Sequence, residues 1–178
     1  MIPILALAAM LSIMLIELQV SRRNEQTLCA RGAVAAFDPV YPLMRVAYPG
    51  LFVAMAAEGL LTAPAGLHVI ETAADGGVPR LTIAGILVLG VAKALKTWAI
   101  RSLDGRWTFR VFVLPGAPLI QTGPYRWLRH PNYVAVVGEL IGFALLVSAP
   151  VTGIGSVLIF GALLHRRIRS EEQALDLR

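Results

Sequence analysis

Residues 133–164 read YVAVVGELIGFALLVSAPVTGIGSVLIFGALL, an apolar stretch in which Glu139 is the one charged side chain. A single α-helix of this length would measure about 48 Å, which exceeds the about 30 Å hydrocarbon core of a bilayer. Pro150 and Gly153 lie near the middle of the stretch, within SAPVTG, and both residue types favour a turn. The stretch therefore predicts a hairpin of two short, antiparallel membrane helices.

Three more apolar segments precede this hairpin, at residues 1–20, 43–61 and 81–100. The first has neither a basic start nor a small-residue cleavage site, so it predicts a retained helix rather than a signal peptide. The chain is 57% hydrophobic and 15% charged, whereas soluble domains average about 45–50% and about 25%. We expect an all-α integral membrane protein with about five transmembrane helices and a C-terminal helical hairpin. A four-span version, with the hairpin re-entering the same side, stays open.

Basic residues are concentrated in three segments, at residues 21–42, at 101–131 and in the tail after residue 165. The connections at 62–80 and 149–153 hold a single basic residue, Arg80, between them. Because cytoplasmic loops of membrane proteins are rich in Lys and Arg, all three basic segments are predicted in the cytosol. The expected location is the inner (cytoplasmic) membrane, with several spans. Two of the basic segments flank the hairpin and face one compartment, so they can form a cytosolic pocket.

Several classes of function are disfavoured by what the sequence lacks. The single cysteine, Cys29, excludes an intramolecular disulfide framework and a multi-cysteine metal site. The chain has no H-E-x-x-H, no G-x-G-x-x-G and no Walker loop, and no serine stands in a nucleophile elbow. The net charge of +5 is explained by topology in a membrane protein. We therefore expect neither a metal nor a nucleic-acid partner.

The basic segment before the hairpin ends in GPYRWLRHPNY, residues 123–133. Pro131 suits the first turn of a helix, and it places Arg129 and His130 just before that helix begins. The free backbone N–H groups at a helix N-terminus favour anions, and arginine binds carboxylates and phosphates well. The segment predicts a ligand site, and the alternative is that its arginines bind lipid headgroups.

The tail after the hairpin reads RRIRSEEQAL, and it places Glu171 and Glu172 directly behind a run of arginines. Neighbouring side chains on a helix point in different directions, so at most one of these carboxylates faces a given site. Such a carboxylate can hold a ligand ammonium group or pair with an arginine of the preceding loop. Which of the two does so stays open.

Ionisable residues also lie inside the predicted spans, where exposure to lipid is costly and a paired or functional role is expected. Lys96 and Arg45 are predicted to reach the cytosolic interface with their long side chains. Glu139 either faces a cavity or forms a structural pair with an arginine or lysine. His68 and His165 are interpreted as structural. The full intramembrane set is Glu17, Arg45, Glu58, Lys93, Lys96 and Glu139.

The segment TGPYRWLRHPNYVAVVGEL, followed after the hairpin by RIRSEEQAL, resembles the C-terminal core of the isoprenylcysteine carboxyl methyltransferase family. It is similar more broadly to membrane methyltransferases that include phospholipid N-methyltransferases. The resemblance covers about residues 96–177 and rests on R-H-P-x-Y, a downstream glutamate and the terminal paired glutamates. Residues 21–44 resemble a small bacterial branch of the family, some of whose members methylate phenolic lipids.

The resemblance implies three N-terminal spans in residues 1–95 and a methyltransferase core in residues 96–178. This core would bind S-adenosylmethionine, release S-adenosylhomocysteine and methylate an oxygen of a small lipophilic acceptor that enters from the bilayer. Arg129 is the candidate for orienting that oxygen, and Glu139 or His130 is the candidate base if the acceptor is a phenol rather than a carboxylate. The implied cofactor-binding residues are Gln121, Thr122, Gly123, Pro124, Tyr125, His130, Tyr133, Arg169, Glu171 and Glu172.

Three other functions stay open on the sequence. A phospholipid or amine N-methyltransferase would use the same cofactor on a nitrogen. A reductase of the sterol-reductase type has a related C-terminal architecture and would bind NADPH instead. A non-enzymatic lipid-binding membrane protein would use its arginines only on headgroups.

Overall fold

The computed structural model describes residues 1–62 and 80–174, and it contains five α-helices in that part of the chain. Four of the helices are long and apolar enough to cross a membrane, and α4 is a shorter apolar helix. The predicted all-α membrane fold is thus confirmed. Most of the 62–80 connection, with His68, lies outside the described residues. The helices are α1 (Ile2–Ala30), α2 (Tyr41–Thr62), α3 (Arg80–Ser102), α4 (Pro131–Val147) and α5 (Pro150–Ala174).

Helix α1 is longer than the apolar segment that predicted it, because it continues from residue 20 to Ala30. Residues 21–30 contain no glycine or proline, so nothing in this segment breaks the helix. The chain leaves the helix just before Gly32, whose φ is +83°, a conformation that glycine adopts without strain. The polar last turns of α1 therefore belong to the helix rather than to a loop.

The α4–α5 hairpin turns at Ser148 and Ala149, between the two helices. Ser148 has a left-handed φ of 56° and the backbone N–H of Ala149 donates to the carbonyl of Ala144. Pro150 is the first residue of α5, where its missing N–H costs nothing. The predicted turn is confirmed, but Gly153 does not take part in it. The second helix is also longer than predicted, because α5 continues through the basic tail to Ala174. Gly153 lies inside α5, where an added Cβ would come within 2.5 Å of the Cβ of Ala144.

Helices α3 and α4 pack closely along their length because glycines stand where their backbones meet. A Cβ on Gly85 would lie 2.5 Å from the backbone nitrogen of Leu146, and one on Gly142 would lie 2.6 Å from that of Leu89. Small residues allow this approach between membrane helices. The close contact brings the lysines of α3 next to Glu139 of α4.

An aromatic core joins α2, α4 and α5. Phe52 and Phe143 are fully buried, and their ring centroids lie 4.9 Å apart in an edge-to-face arrangement, which is a favoured geometry. Tyr48 lies 5.1 Å from Phe52 and 4.9 Å from Phe160 between ring centroids. This core holds α2 against the hairpin, and Tyr48 occupies its edge.

Two short strands, which the sequence had not predicted, tie the α1–α2 connection to the segment between α3 and α4. Strand β1 (Val34–Ala35) pairs antiparallel with β2 (Phe112–Val113). Asn24 of α1 adds a hydrogen bond from its Nδ2 to the carbonyl of Trp107, at 2.7 Å. The segment 103–130 is therefore held over one end of the helices, the end at which α4 begins and α5 finishes.

Candidate functional site

The segment before α4 and the end of α5 meet through His130, Tyr133, Glu171 and Glu172. The hydroxyl of Tyr133 donates to Glu171 Oε2 at 2.6 Å, and His130 Nδ1 lies 3.7 Å from the same oxygen. The other ring nitrogen of His130 lies 3.4 Å from Glu172 Oε1. The His130 ring also stacks on Tyr133, with 5.3 Å between centroids. The facing segments that the sequence predicted are thus brought together.

The chain enters this region through a 3-10 helix, Gly123–Arg126. Gly123 has a φ of +60°, and a Cβ there would collide with the side chain of Ser102 at the end of α3. Glycine is thus required both for the backbone conformation and for the contact with α3. The helix presents Tyr125, whose pKa is raised above its ordinary value by burial and, second, by the negative charge of Glu171.

A cavity of about 1340 Å³ lies beneath the 103–130 segment. It exceeds the about 300–1,000 Å³ of an ordinary small-molecule pocket, so it has room for more than one ligand. One part of its lining is polar and comes from Tyr125, His130, Asn132, Tyr133, Arg167 and Glu171. Another part is apolar and comes from α1 and α2, through Leu11, Met14, Leu15, Leu18, Met44 and Pro49.

Some of the predicted site residues line this cavity and others do not. The roles of all of them stay predictions. Arg129 lines the cavity, but its side chain is 83% exposed and lies 4.0 Å from Glu172, which places it at the mouth. Tyr125, His130, Tyr133 and Glu171 also line the cavity. Outside the lining are Gln121, Thr122, Gly123, Pro124, Glu139, Arg169 and Glu172.

Arg167 is not among the cofactor-binding residues that the resemblance implied, although its neighbour Arg169 is. Arg167 is 7% exposed and lines the cavity, whereas Arg169 is exposed. Its Nη2 donates to the carbonyl of Phe109 and lies 3.6 Å from Asp38 Oδ2. Its buried Nε has no hydrogen-bond partner among the described residues. Arg167 therefore brings a positive charge and a free donor to the cavity wall.

A cluster of four charged side chains lies deeper in the helix bundle. Lys96 Nζ is 2.7 Å from Glu17 Oε2 and 3.3 Å from Glu139 Oε2. Lys93 Nζ is 2.8 Å from Glu139 Oε1 and 3.4 Å from Glu17 Oε1. The prediction that Lys96 reaches the interface was wrong, because its side chain is 2% exposed. Lys96 instead pairs with two carboxylates inside the bundle. The two lysines and two glutamates of the cluster together carry no net charge.

Tyr48 connects this cluster to the cavity. Its hydroxyl donates to Glu139 Oε2, and Tyr48 and Lys96 line the cavity while Glu139 does not. Glu139 is fully buried, so the paired arrangement that the sequence left open is present. A ligand in the cavity would reach Glu139 through Tyr48 or Lys96 rather than directly.

Comparison with known proteins identifies one matching family and relatives that cover most of the chain. The sequence model of the isoprenylcysteine carboxyl methyltransferase family matches residues 83–177. The uncharacterized protein YpbQ of Bacillus subtilis is 32% identical over 162 residues, which cover 90% of this chain and 88% of that protein. An uncharacterized protein of Haemophilus influenzae is 27% identical over 170 residues, or 95% of this chain and 92% of its own length. No solved structure matches.

Proposed function

The chain belongs to the isoprenylcysteine carboxyl methyltransferase family, and from this premise we propose that it methylates an oxygen of a small lipophilic acceptor. Family membership implies a membrane-bound methyltransferase in general. S-adenosylmethionine is the proposed methyl donor, and S-adenosylhomocysteine is the product. The observation that carries the proposal is one cavity of about 1340 Å³ with both a polar and an apolar lining.

The polar lining fits S-adenosylmethionine in the chemistry of its side chains. The Glu171 carboxylate suits the ammonium group of the cofactor, and Arg167 suits its carboxylate. The resemblance implied Arg169 as a cofactor-binding residue, and we prefer Arg167 because it lies in the cavity wall and keeps a free Nε donor. Asn132 Oδ1 is buried without a hydrogen-bond partner among the described residues and suits an amino group, such as that of adenine. Orphaned buried polar atoms of this kind call for a ligand or water.

The apolar lining suits the tail of a lipophilic acceptor. Leucines and methionines of α1 and α2 supply it, and both helices are long and apolar enough to border lipid. We propose that the acceptor enters from the bilayer between these helices. Arg129 at the mouth would steer an anionic acceptor head toward the polar part of the cavity. By the distribution of basic residues, the site faces the cytosol from the inner membrane.

The chemistry required of the protein is modest. S-adenosylmethionine, when bound, supplies a methyl group on a positively charged sulfur that is ready for in-line displacement. The chain's residues then need to hold both reactants in line and keep water away, which by itself lowers the barrier substantially. Neither a covalent nucleophile nor a strong acid has to be supplied by the lining residues.

Calorimetric titration of the detergent-solubilised protein with S-adenosylhomocysteine tests the cofactor site. We expect saturable binding at one molecule per chain, and NADPH should not bind. Glu171→Gln should weaken the affinity by about 10-fold or more, because a hydrogen bond to a charged group contributes about 1.5–3 kcal/mol. Glu172→Gln is the matched control, since Glu172 does not line the cavity. Its affinity for S-adenosylhomocysteine should fall less than that of Glu171→Gln. Equal losses in the two variants would contradict the assignment of Glu171.

The acceptor is identified by incubating membranes with methyl-labelled S-adenosylmethionine and analysing the labelled lipid by mass spectrometry. An O-methyl ether or a methyl ester is the expected product. A labelled amine would instead assign the chain to N-methylation. Membranes from cells that carry a chain with both Arg167→Ala and Glu171→Gln provide the control and should show no label.

A further inference from the structure

Tyr48 stands between the cavity and a buried proton acceptor. On one side it lines the cavity, and on the other its hydroxyl donates to Glu139 Oε2. A tyrosine hydroxyl has one proton to donate and two lone pairs that accept. Since its proton is engaged with Glu139, its oxygen is available to accept a hydrogen bond from a ligand in the cavity.

We propose that Tyr48 is a catalytic residue that takes the proton from a hydroxyl group of the acceptor and passes its own proton to Glu139. This inference rests on the proposed methyltransferase function and extends it to the class of acceptor. A phenol or an enol must lose a proton before or during methylation, whereas a carboxylate is already ionised near neutral pH. A built-in route for a proton therefore favours a hydroxyl acceptor.

The step balances in protons and electrons. The acceptor O–H bond breaks as Tyr48 Oη accepts the proton, and the former Tyr48 proton moves to Glu139 Oε2. The acceptor oxygen uses its electron pair to form the new bond to the methyl carbon. The bond between that carbon and the sulfur breaks, and its electron pair stays on sulfur. Glu139 holds one additional proton at the end of the step and releases it before the next turnover.

The surrounding charges suit this transfer. Glu17, Lys93, Lys96 and Glu139 carry no net charge together, so a proton on Glu139 leaves the cluster with one positive charge. Lys96 lines the cavity beside Tyr48, and its Nζ lies 5.7 Å from the centre of the Tyr48 ring. The fixed positive charge of Lys96 thus lies beside Tyr48, where the acceptor oxygen becomes negative as it loses its proton. Fixed charges that oppose a developing charge stabilise the transition state strongly in a site shielded from water.

The aromatic core holds Tyr48 in place for this role. Its ring packs against Phe52 and Phe160 at centroid distances of 5.1 Å and 4.9 Å. The Tyr48 hydroxyl is therefore already held next to Glu139, and the side chain loses no further conformational freedom at each turnover. Phe160 also lines the cavity, so an aromatic acceptor would meet an aromatic wall beside Tyr48.

The test compares two phenols that differ in whether they need a base. Purified protein in detergent is given S-adenosylmethionine and para-dodecylphenol, or the same phenol with an ortho-nitro group. At about pH 8.5 the plain phenol is neutral, since an ordinary phenol has a pKa of about 10, and the nitrophenol is already ionised. Tyr48→Phe should slow methylation of the plain phenol by about 100-fold or more, because base catalysis contributes about 10²–10⁴-fold. It should slow methylation of the nitrophenol by about threefold at most, since no base is needed there.

Two further variants keep the result interpretable. Glu139→Gln removes the final proton acceptor and should show the same selective loss, even if its stability differs from that of Tyr48→Phe. Met55→Leu is the matched control, because Met55 is fully buried on the same helix but does not line the cavity. The substitution keeps most of the side-chain volume, so both phenols should react as in the unmodified protein. Binding of S-adenosylhomocysteine, measured by titration, should be unchanged in Tyr48→Phe.

Three results would overturn the inference. An equal loss on both phenols in Tyr48→Phe would make Tyr48 a structural residue only. Methylation of dodecanoate but of neither phenol would exclude a hydroxyl acceptor while leaving the methyltransferase function in place. A protein that binds no S-adenosylhomocysteine and methylates none of these three acceptors would contradict the proposed function itself, and with it this extension.

Discussion

Replacement of Lys96 by methionine should destabilise the protein strongly, because it leaves an unbalanced negative charge inside the helix bundle. Lys96 is 2% exposed, and its Nζ lies 2.7 Å from Glu17 and 3.3 Å from Glu139. Methionine keeps most of the volume but removes the charge, so two buried carboxylates are left with Lys93 alone. Breaking a buried ion pair by removing one partner costs about 3–5 kcal/mol. We expect a loss of that size in the free energy of unfolding, measured by denaturant titration in mixed micelles.

Two companion variants separate charge balance from the loss of a side chain. Lys93→Met removes a lysine that contacts the same carboxylates but is 20% exposed, so water compensates part of its loss and the cost should be smaller. The double variant Lys96→Met with Glu17→Gln restores neutrality and should recover about 0.5–3 kcal/mol relative to the sum of the single losses. A loss below about 1 kcal/mol in Lys96→Met, or no recovery in the double variant, would refute a closed, charge-balanced cluster.

Two more predictions concern the helix contacts and use the same titration. Gly85→Ala should cost about 1–3 kcal/mol through overpacking against Leu146, whereas Gly90→Ala in the same helix meets no atom within 4 Å and should be neutral or slightly stabilising. Equal effects would contradict the close α3–α4 approach. Glu58→Ala should cost about 1–2 kcal/mol, because Glu58 accepts from the backbone N–H of Thr152 at 2.7 Å and caps the start of α5. An unchanged midpoint of the unfolding transition would show that water replaces Glu58 as the hydrogen-bond acceptor at the start of α5.

The hairpin of α4 and α5 was predictable from the sequence because bilayer thickness limits helix length. Residues 133–164 are too long for one span, and Pro150 marks where the second helix begins. A hairpin also returns the chain to its starting side, so the segment containing His130 and the tail containing Glu171 had to face each other. Those conclusions need only chain length, hydropathy and turn chemistry.

The partners of the intramembrane charges were not predictable in the same way. Glu17, Lys93, Lys96 and Glu139 were each recognised as residues that lipid would not tolerate, but they come from three different helices. Which of them meet depends on how the helices are rotated and how closely they approach. That approach is set by packing at Gly85 and Gly142, whose effect appears only once α3 and α4 are in contact.

The choice between Arg167 and Arg169 shows where sequence information ends. Both belong to the same basic run, and residues two apart on a helix point to different sides, so only the rotation of α5 decides which one enters the cavity. Tyr48 gave no signal at all, since a tyrosine in an apolar helix reads as core or interface. The sequence by itself determined the class of fold and the two segments that meet. The tertiary structure decided which side chains share the cavity, because helix rotation and close packing depend on contacts between distant parts of the chain.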